Sequence, residues 1–209
     1  MSNDRFLLPR QGDEVGNTKR SFVSRGGFKL EAAIVTLGVD VTGQTAADLG
    51  ANVGGFTDCL LQHGATKVYA VDTAYGVLAW TLRKDPRVIV RERANALHVT
   101  LPEQVDVISI DVGWTRQEKI LPHAATLLKP GGCMLTLIKP HYESEEASKT
   151  RGILTEEAAS AVLERVLARI EALGFLVDGV VKSPIEGQKG NVEFVARVRL
   201  GVAVTRKPV

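Results

Sequence analysis

Asp48-Leu49-Gly50-Ala51-Asn52-Val53-Gly54-Gly55-Phe56 is the stretch on which the reading of the chain turns. It follows a short β-rich run over 45–49 and leads directly into the helical apolar spacing of 56–63, so it forms a glycine-rich turn from strand to helix. In a doubly wound sheet the first such turn lies at the carboxyl edge, where ligands bind at the topological switch point and glycine lets them approach the backbone. Asp72 ends the next strand-like run, Val68-Tyr69-Ala70-Val71-Asp72. A carboxylate about 20 residues beyond the first glycine accepts hydrogen bonds from ribose hydroxyls. Turn and acid together point to a cofactor that carries adenosine.

The details narrow the choice. A dinucleotide fingerprint reads GxGxxG, and Asn52 stands where its central glycine belongs, which hinders close approach of a pyrophosphate. A Walker loop reads GxxxxGK[ST], and Gly55-Phe56 replaces its Gly-Lys. The pattern Asp48-x-Gly50-x-x-x-Gly54-x-Phe56 instead resembles the turn of S-adenosylmethionine enzymes, where no pyrophosphate has to be accommodated.

Outward from the turn, strand-like runs over 45–49, 67–72, 87–90, 105–111 and 133–138 alternate with helical spacing over 56–63, 77–84 and 119–128. Lys129-Pro130-Gly131-Gly132 is a helix stop. A long amphipathic helix follows over 155–173, with Thr155 as N-cap and Gly174 as terminator. Two late strands, 175–182 and 192–200, return as an antiparallel hairpin at the sheet edge. Parallel strands need helical crossovers, so this alternation predicts an α/β fold with an open, mostly parallel, doubly wound sheet.

The 209 residues suit one domain, expected over 21–209 after a flexible segment over 1–20. Composition is ordinarily globular, with 44% hydrophobic and 24% charged residues. No apolar run is long enough to span a bilayer and the polar start lacks a signal-peptide core, which predicts a cytoplasmic protein with no membrane association. Cys59 and Cys133 sit in apolar stretches without CxxC spacing and read as core residues; no metal site is expected. The net charge is +2, yet it is unevenly spread: residues 1–30 carry six Lys/Arg against three Asp/Glu, and 182–209 six against two, around an acidic middle. If these basic ends converge beside the glycine-rich turn, they offer a surface to phosphates; otherwise they are solvated tails.

Four charged residues each interrupt an apolar run at the end of a predicted element: Lys29, Asp111, Lys139 and Glu193. Asp111 and Lys139 end strands and project from the same edge as the turn. With Val23-Ser24-Arg25-Gly26-Gly27-Phe28-Lys29-Leu30, Tyr75-Gly76, Leu78-Ala79-Trp80, Ser183-Pro184-Ile185-Glu186-Gly187 and Gly190-Asn191-Val192-Glu193-Phe194, they carry a resemblance that runs from about Phe22 to Phe194. The chain resembles the FtsJ-like RNA 2'-O-ribose methyltransferases, and among them the TlyA-type, hemolysin-like ribosomal RNA enzymes. The resemblance implies a Rossmann-like class I S-adenosylmethionine-dependent methyltransferase fold of seven strands. It also implies an RNA substrate, ribosomal RNA or a ribosomal subunit, and a catalytic tetrad of Lys29, Asp111, Lys139 and Glu193. Cofactor binding is implied for Gly50, Gly54, Phe56, Asp72, Asn95 and Asp111. A ribose hydroxyl is a poor nucleophile while a sulfonium methyl is already electrophilic, so alignment and a base are needed. Lys139 is then the base or the residue that orients the hydroxyl; as a base it must be neutral, its pKa lowered by Lys29 together with the sulfonium charge. Asp111 orients Lys139 and the methionine end of the cofactor, and Glu193 holds Lys29 or the ribose.

The sequence departs from that pattern in places. TlyA-type proteins carry an S4 RNA-binding domain ahead of Ser-Arg-Gly-Gly, and here some 20 residues precede that motif at Ser24. Either the sequence is trimmed or RNA is reached through another surface or a partner. Asp111-Val112-Gly113-Trp114 replaces Asp-Val-Ser-Phe, and His141-Tyr142-Glu143 replaces Gln-Phe-Glu. Trp114 and Tyr142 either stack on an RNA base or pack against the sheet. Competing functions are a catalytically silent RNA-binding protein of the same fold and a small-molecule methyltransferase. Pore formation, which the hemolysin label suggests, finds no apolar span or cationic amphipathic helix.

Overall fold

Alternating apolar runs form one seven-stranded sheet in a computed structural model that describes residues 21–144 and 152–201. The flexible segment expected over 1–20 lies outside the described residues. The strands are β1 (Thr45–Leu49), β2 (Lys67–Asp72), β3 (Val88–Glu92), β4 (Val105–Ile110), β5 (Leu128–Ile138), β6 (Phe175–Lys182) and β7 (Phe194–Leu200), in the order β3-β2-β1-β4-β5-β7-β6. β1 pairs in parallel with both β2 and β4, so the chain leaves it in opposite directions and opens a crevice at their carboxyl ends. The late hairpin forms at the sheet edge as expected, with β6 outermost. β7 inserts between β5 and β6, antiparallel to both. This reversal has a consequence for the site: Ile138 at the end of β5 pairs with Phe194 at the start of β7, which carries Glu193 to the edge where Lys139 stands.

Strand residues alternate between two cores, as a sheet covered on both faces requires. Val107 packs with helices α1 (Gly26–Thr36), α2 (Gly55–Gln62) and α3 (Trp80–Lys84), whereas the neighbouring Ile108 packs with α4 (Gln117–Leu127) and α6 (Glu156–Ala172). The short α5 (Pro140–Glu143) lies between them in the chain, directly after β5. Cys59 and Cys133 are both buried. No helix among the described residues is long and apolar enough to cross a membrane.

Several boundaries differ from the sequence reading, three of them instructively. The helix expected over 77–84 begins only at Trp80, because Ala79 donates its N–H to Val53 O (3.0 Å) and stays extended. Lys129-Pro130-Gly131-Gly132 does end α4, but as a bulge that already belongs to β5: Val105 pairs with Leu128 and Val107 with Cys133. A side chain at Gly132 would sit 2.6 Å from Asp106 O, so the bulge packs tightly on β4. The last strand starts at Phe194 rather than Val192, leaving Glu193 in the connection ahead of it.

Candidate active site

The carboxyl ends of the parallel strands border a cavity of about 420 Å³, lined by residues that the sequence places far apart. Lys29 comes from α1, Gly50 and Asn52 from the turn after β1, Asp72 from β2, Asn95 from the loop after β3, Asp111 from the end of β4, and Lys139 from the end of β5. Glu193 completes the group. A second hollow of about 260 Å³ adjoins it, shares Lys29, Gly50, Asn52 and Asp111, and runs between Arg25 and the 185–187 segment.

The four charged residues sort into two ion pairs. Lys29 donates to Glu193, whose side chain is 3% exposed. Lys139 Nζ lies 2.5 Å from Asp111 Oδ1. Burial works against the charge on Lys139, but the carboxylate of Asp111, aided by Glu193 and Tyr142, outweighs it and holds the pKa above the ordinary lysine value. Lys29 by itself does not bring about the lowering that was expected of it together with the sulfonium charge. Lys29 has a carboxylate of its own that offsets its charge, and Lys139 rests as an ammonium.

The cofactor-binding candidates divide. Asp72 accepts from Asn52 N through Oδ2 and from Ala74 N through Oδ1, both at 2.8 Å, which fixes its carboxylate at the cavity wall. Asn95 lines the cavity too, but its Oδ1 already accepts from Leu97 N (2.9 Å), leaving one lone pair on that oxygen. Gly50 lines both hollows, although the demand for glycine comes from the protein itself: a Cβ there would meet Asp111 O at 2.4 Å. Gly54 borders neither hollow. With φ +104 it packs against Leu78 and Leu82, so it shapes the turn from behind. Phe56 is 4% exposed; it belongs to the core and touches only the margin of the smaller hollow.

Several residues that the sequence offered only as parts of a motif, with no role assigned, also shape the site. Asp48 is fully buried beneath the glycine-rich turn, where it accepts from Thr57 Oγ1 (2.7 Å) and Ser109 Oγ (2.9 Å) and so ties β1, α2 and β4 together. Desolvation pushes its pKa up to about 6 against the pull of these hydroxyls. Glu143, also buried, accepts from Gln117 N at the start of α4 (2.9 Å) and pairs with Arg169 of α6 (3.1 Å), anchoring α5. His141 lines the main cavity; burial first, then the charges of Lys139, Lys29 and Lys189, lower its pKa. A polar residue immediately beyond a strand end was the available signal for it.

Trp114 does not pack against the sheet. Trp114 is 85% exposed with φ +57 and stacks on Tyr142, ring centroids 4.4 Å apart; Tyr142 in turn lies 5.5 Å from Lys139 Nζ and lines the cavity. The pair forms an aromatic shelf at the mouth of the site.

A family model for FtsJ-like methyltransferases matches residues 22–199. The chain belongs to the FtsJ-like methyltransferase family. YqxC of Bacillus subtilis is 41% identical over 186 residues, which cover 86% of this chain and 66% of that protein. The protein of Mycobacterium tuberculosis named 16S/23S rRNA (cytidine-2'-O)-methyltransferase TlyA is 37% identical over 192 residues, 88% of this chain and 71% of its own length. The chain thus spans about two thirds of these relatives. Among solved structures, a protein of Streptococcus thermophilus described as a hemolysin superposes with a TM-score of 0.83 at 38% identity, covering 88% of this chain and 69% of that one. FtsJ-like enzymes use S-adenosylmethionine, and the cavity suits such a cofactor. Its volume lies within the roughly 300 to 1,000 Å³ of small-molecule sites, with the Asp72 carboxylate along one wall and the lysine–carboxylate pairs along another.

Proposed function

We propose that the protein transfers a methyl group from S-adenosylmethionine to a ribose 2'-hydroxyl of RNA, with ribosomal RNA as the substrate class and the cytoplasm as the place of action. The observation that carries this reading is the meeting of two lysine–carboxylate pairs, Lys29–Glu193 and Lys139–Asp111, from four separate parts of the chain at one cavity. Relatives named for rRNA cytidine-2'-O methylation support the substrate class. Asp72 would hold the cofactor's ribose, Asn95 its adenine, and Gly50 and Asp111 the methionine end. When bound, that cofactor supplies an electrophilic methyl.

The protein's own contribution is alignment and charge. Lys139, a resting ammonium, donates to the 2'-oxygen through one lone pair and leaves the other to attack; Asp111 holds Lys139 in place. Glu193 keeps Lys29 in register for the ribose or its phosphate. Alignment of this kind can supply roughly 7 to 11 kcal/mol of the barrier. The Trp114–Tyr142 shelf offers a stacking surface to the base of the target nucleotide, an interaction of about 1 to 3 kcal/mol per base.

Incubation with labelled S-adenosylmethionine and total RNA, followed by nucleoside mapping, tests the reading. Label in 2'-O-methyl nucleosides is expected, with single-turnover rates falling at least ~10²-fold in Lys139→Ala while cofactor affinity holds. Cofactor binding without any RNA labelling would favour a silent RNA-binding protein or a small-molecule methyltransferase instead.

A further inference from the structure

The rim of the cavity continues on the side away from the aromatic shelf. Asp72 and Thr73 line it after β2, and Ala94 after β3. From Thr73 the chain runs through a loop to Trp80, the first residue of α3, so loop and helix start stay at the carboxyl edge of the sheet. Four apolar side chains are exposed there: Val53 of the glycine-rich turn, Tyr75, Val77 and Trp80, the two rings by 69% and 67%. The bond from Ala79 N to Val53 O holds the loop against the turn.

Each exposed ring carries a cation. Arg93 Cζ lies 4.3 Å from the ring centroid of Tyr75, and Lys84 Nζ lies 4.9 Å from that of Trp80. The neighbouring carboxylates are engaged by other groups: Glu92 accepts from Gly76 N and Arg83, Asp85 from Arg87, and Asp72 from Asn52 N and Ala74 N. Among the described residues, neither Lys84 nor Arg93 has a carboxylate partner. Such a surface suits a planar, anionic ligand, with a base stacked on the ring and a phosphate against the cation. We propose that Trp80 with Lys84, and Tyr75 with Arg93, bind the single-stranded RNA that flanks the target nucleotide. The assignment rests on the ribose-methylation reading above.

Position favours RNA as the occupant. Tyr142 follows β5 and Tyr75 follows β2, three strand spacings apart across β4 and β1, or roughly 14 Å. A nucleotide whose ribose reaches the lysine–carboxylate pairs and whose base rests on the Trp114–Tyr142 shelf has a strand attached through its phosphate. That strand crosses the rim past Asp72 to the second aromatic face. Stacking there is indifferent to sequence, and Lys84 and Arg93 neutralise phosphates. These cations are free to do so, whereas Arg197 and Arg199 are held by Asp178.

The protein has two tryptophans, so Trp114→Phe leaves Trp80 as its only one and keeps a ring on the shelf. Titration of this full-length variant with purified ribosomal RNA should quench the emission of Trp80 and shield it from acrylamide. In the otherwise wild-type chain, Trp80→Ala should weaken RNA binding about 5- to 100-fold and Trp80→Tyr should retain most of it, with cofactor affinity unchanged in both. Lys84→Ala should reduce the slope of log affinity against log salt by about 0.7, the equivalent of one phosphate contact on a single strand. RNA bound by the Trp114→Phe chain with Trp80 emission unaltered, or wild-type RNA affinity in both Trp80→Ala and Lys84→Ala, overturns the proposal and leaves the methylation reading standing. Shielding of Trp80 that grows with protein concentration and needs no RNA marks a contact between copies and overturns it too. A wild type that neither binds nor methylates ribosomal RNA overturns the methylation reading and this inference with it.

Discussion

Gly50 illustrates how a single position serves both the fold and the site. Its φ of +91 is a region that L side chains rarely adopt, and a Cβ would collide with the backbone of Asp111, one of the residues that meets Lys139. Gly50→Ala is therefore expected to cost roughly 2 to 4 kcal/mol. It should also displace Asp111 and weaken cofactor binding, readable as a lower Tm and a lower calorimetric affinity. An alanine variant with wild-type Tm and affinity would show that the two strand ends have room to separate. The sequence exposed the glycine and the acid as separate features. Their mutual contact was hidden, because it depends on the lateral pairing of β1 with β4, and that pairing is set by topology rather than by spacing along the chain. The same holds for the lysine pairs: residue types and strand-end positions were legible, whereas the one-to-one matching that leaves Lys139 protonated required the fold.

Among the described α-helices, α5 is the shortest and the most directly tied to the site, since its four residues include His141 and Tyr142. Such a short helix has no stability of its own. Glu143 anchors it to α4 through Gln117 N and to α6 through Arg169. Glu143→Ala should destabilise the protein by about 1 to 3 kcal/mol, the cost of leaving buried partners unsatisfied. Because α5 follows Lys139 directly, kcat should fall more than cofactor affinity, with partial recovery in Glu143→Gln; equal losses in both would place the anchor's effect elsewhere. Sequence patterning resolved the elements unevenly. β1, β2 and β6 were legible to the residue because their apolar runs end in charge or glycine, and Thr155 does cap α6 by accepting from Ala158 N. α1 was passed over, since its two leading glycines and the run Ile34-Val35-Thr36 are poor helix formers. Its signal was the apolar spacing of Leu30, Ala33, Ile34 and Leu37, and tertiary burial of that stripe overrides the propensity.

Taken as a whole molecule, the basic ends converge only in part. Arg25 and Lys29 do meet the 185–193 segment at the site, but Arg197 and Arg199 lie farther along β7, away from that edge, around Asp178. The antiparallel course of β7 is the reason: only its start faces the cavity, and each later residue moves away from it. Residues 1–20 and 202–209, which hold six of the twelve basic side chains of the two ends, lie outside the described residues. Stability of the molecule is instead linked to an acid at its centre. Asp48 joins two strands and a helix and has a folded pKa of about 6, above the ordinary value of 3.8. Between these values the folded protein binds a proton that the unfolded chain does not, so the stabilising contribution is full below about pH 4 and is lost as pH rises through 6. The shift corresponds to on the order of 3 kcal/mol. Asp48→Asn removes the titration while keeping the side chain's size and an acceptor for one of the hydroxyls. Urea unfolding of both proteins at intervals from pH 4 to 8 should show wild-type stability falling relative to Asp48→Asn across this range and levelling off above pH 7. A difference that stays constant with pH would mean that Asp48 is ionised throughout, its charge carried by the hydroxyls of Thr57 and Ser109.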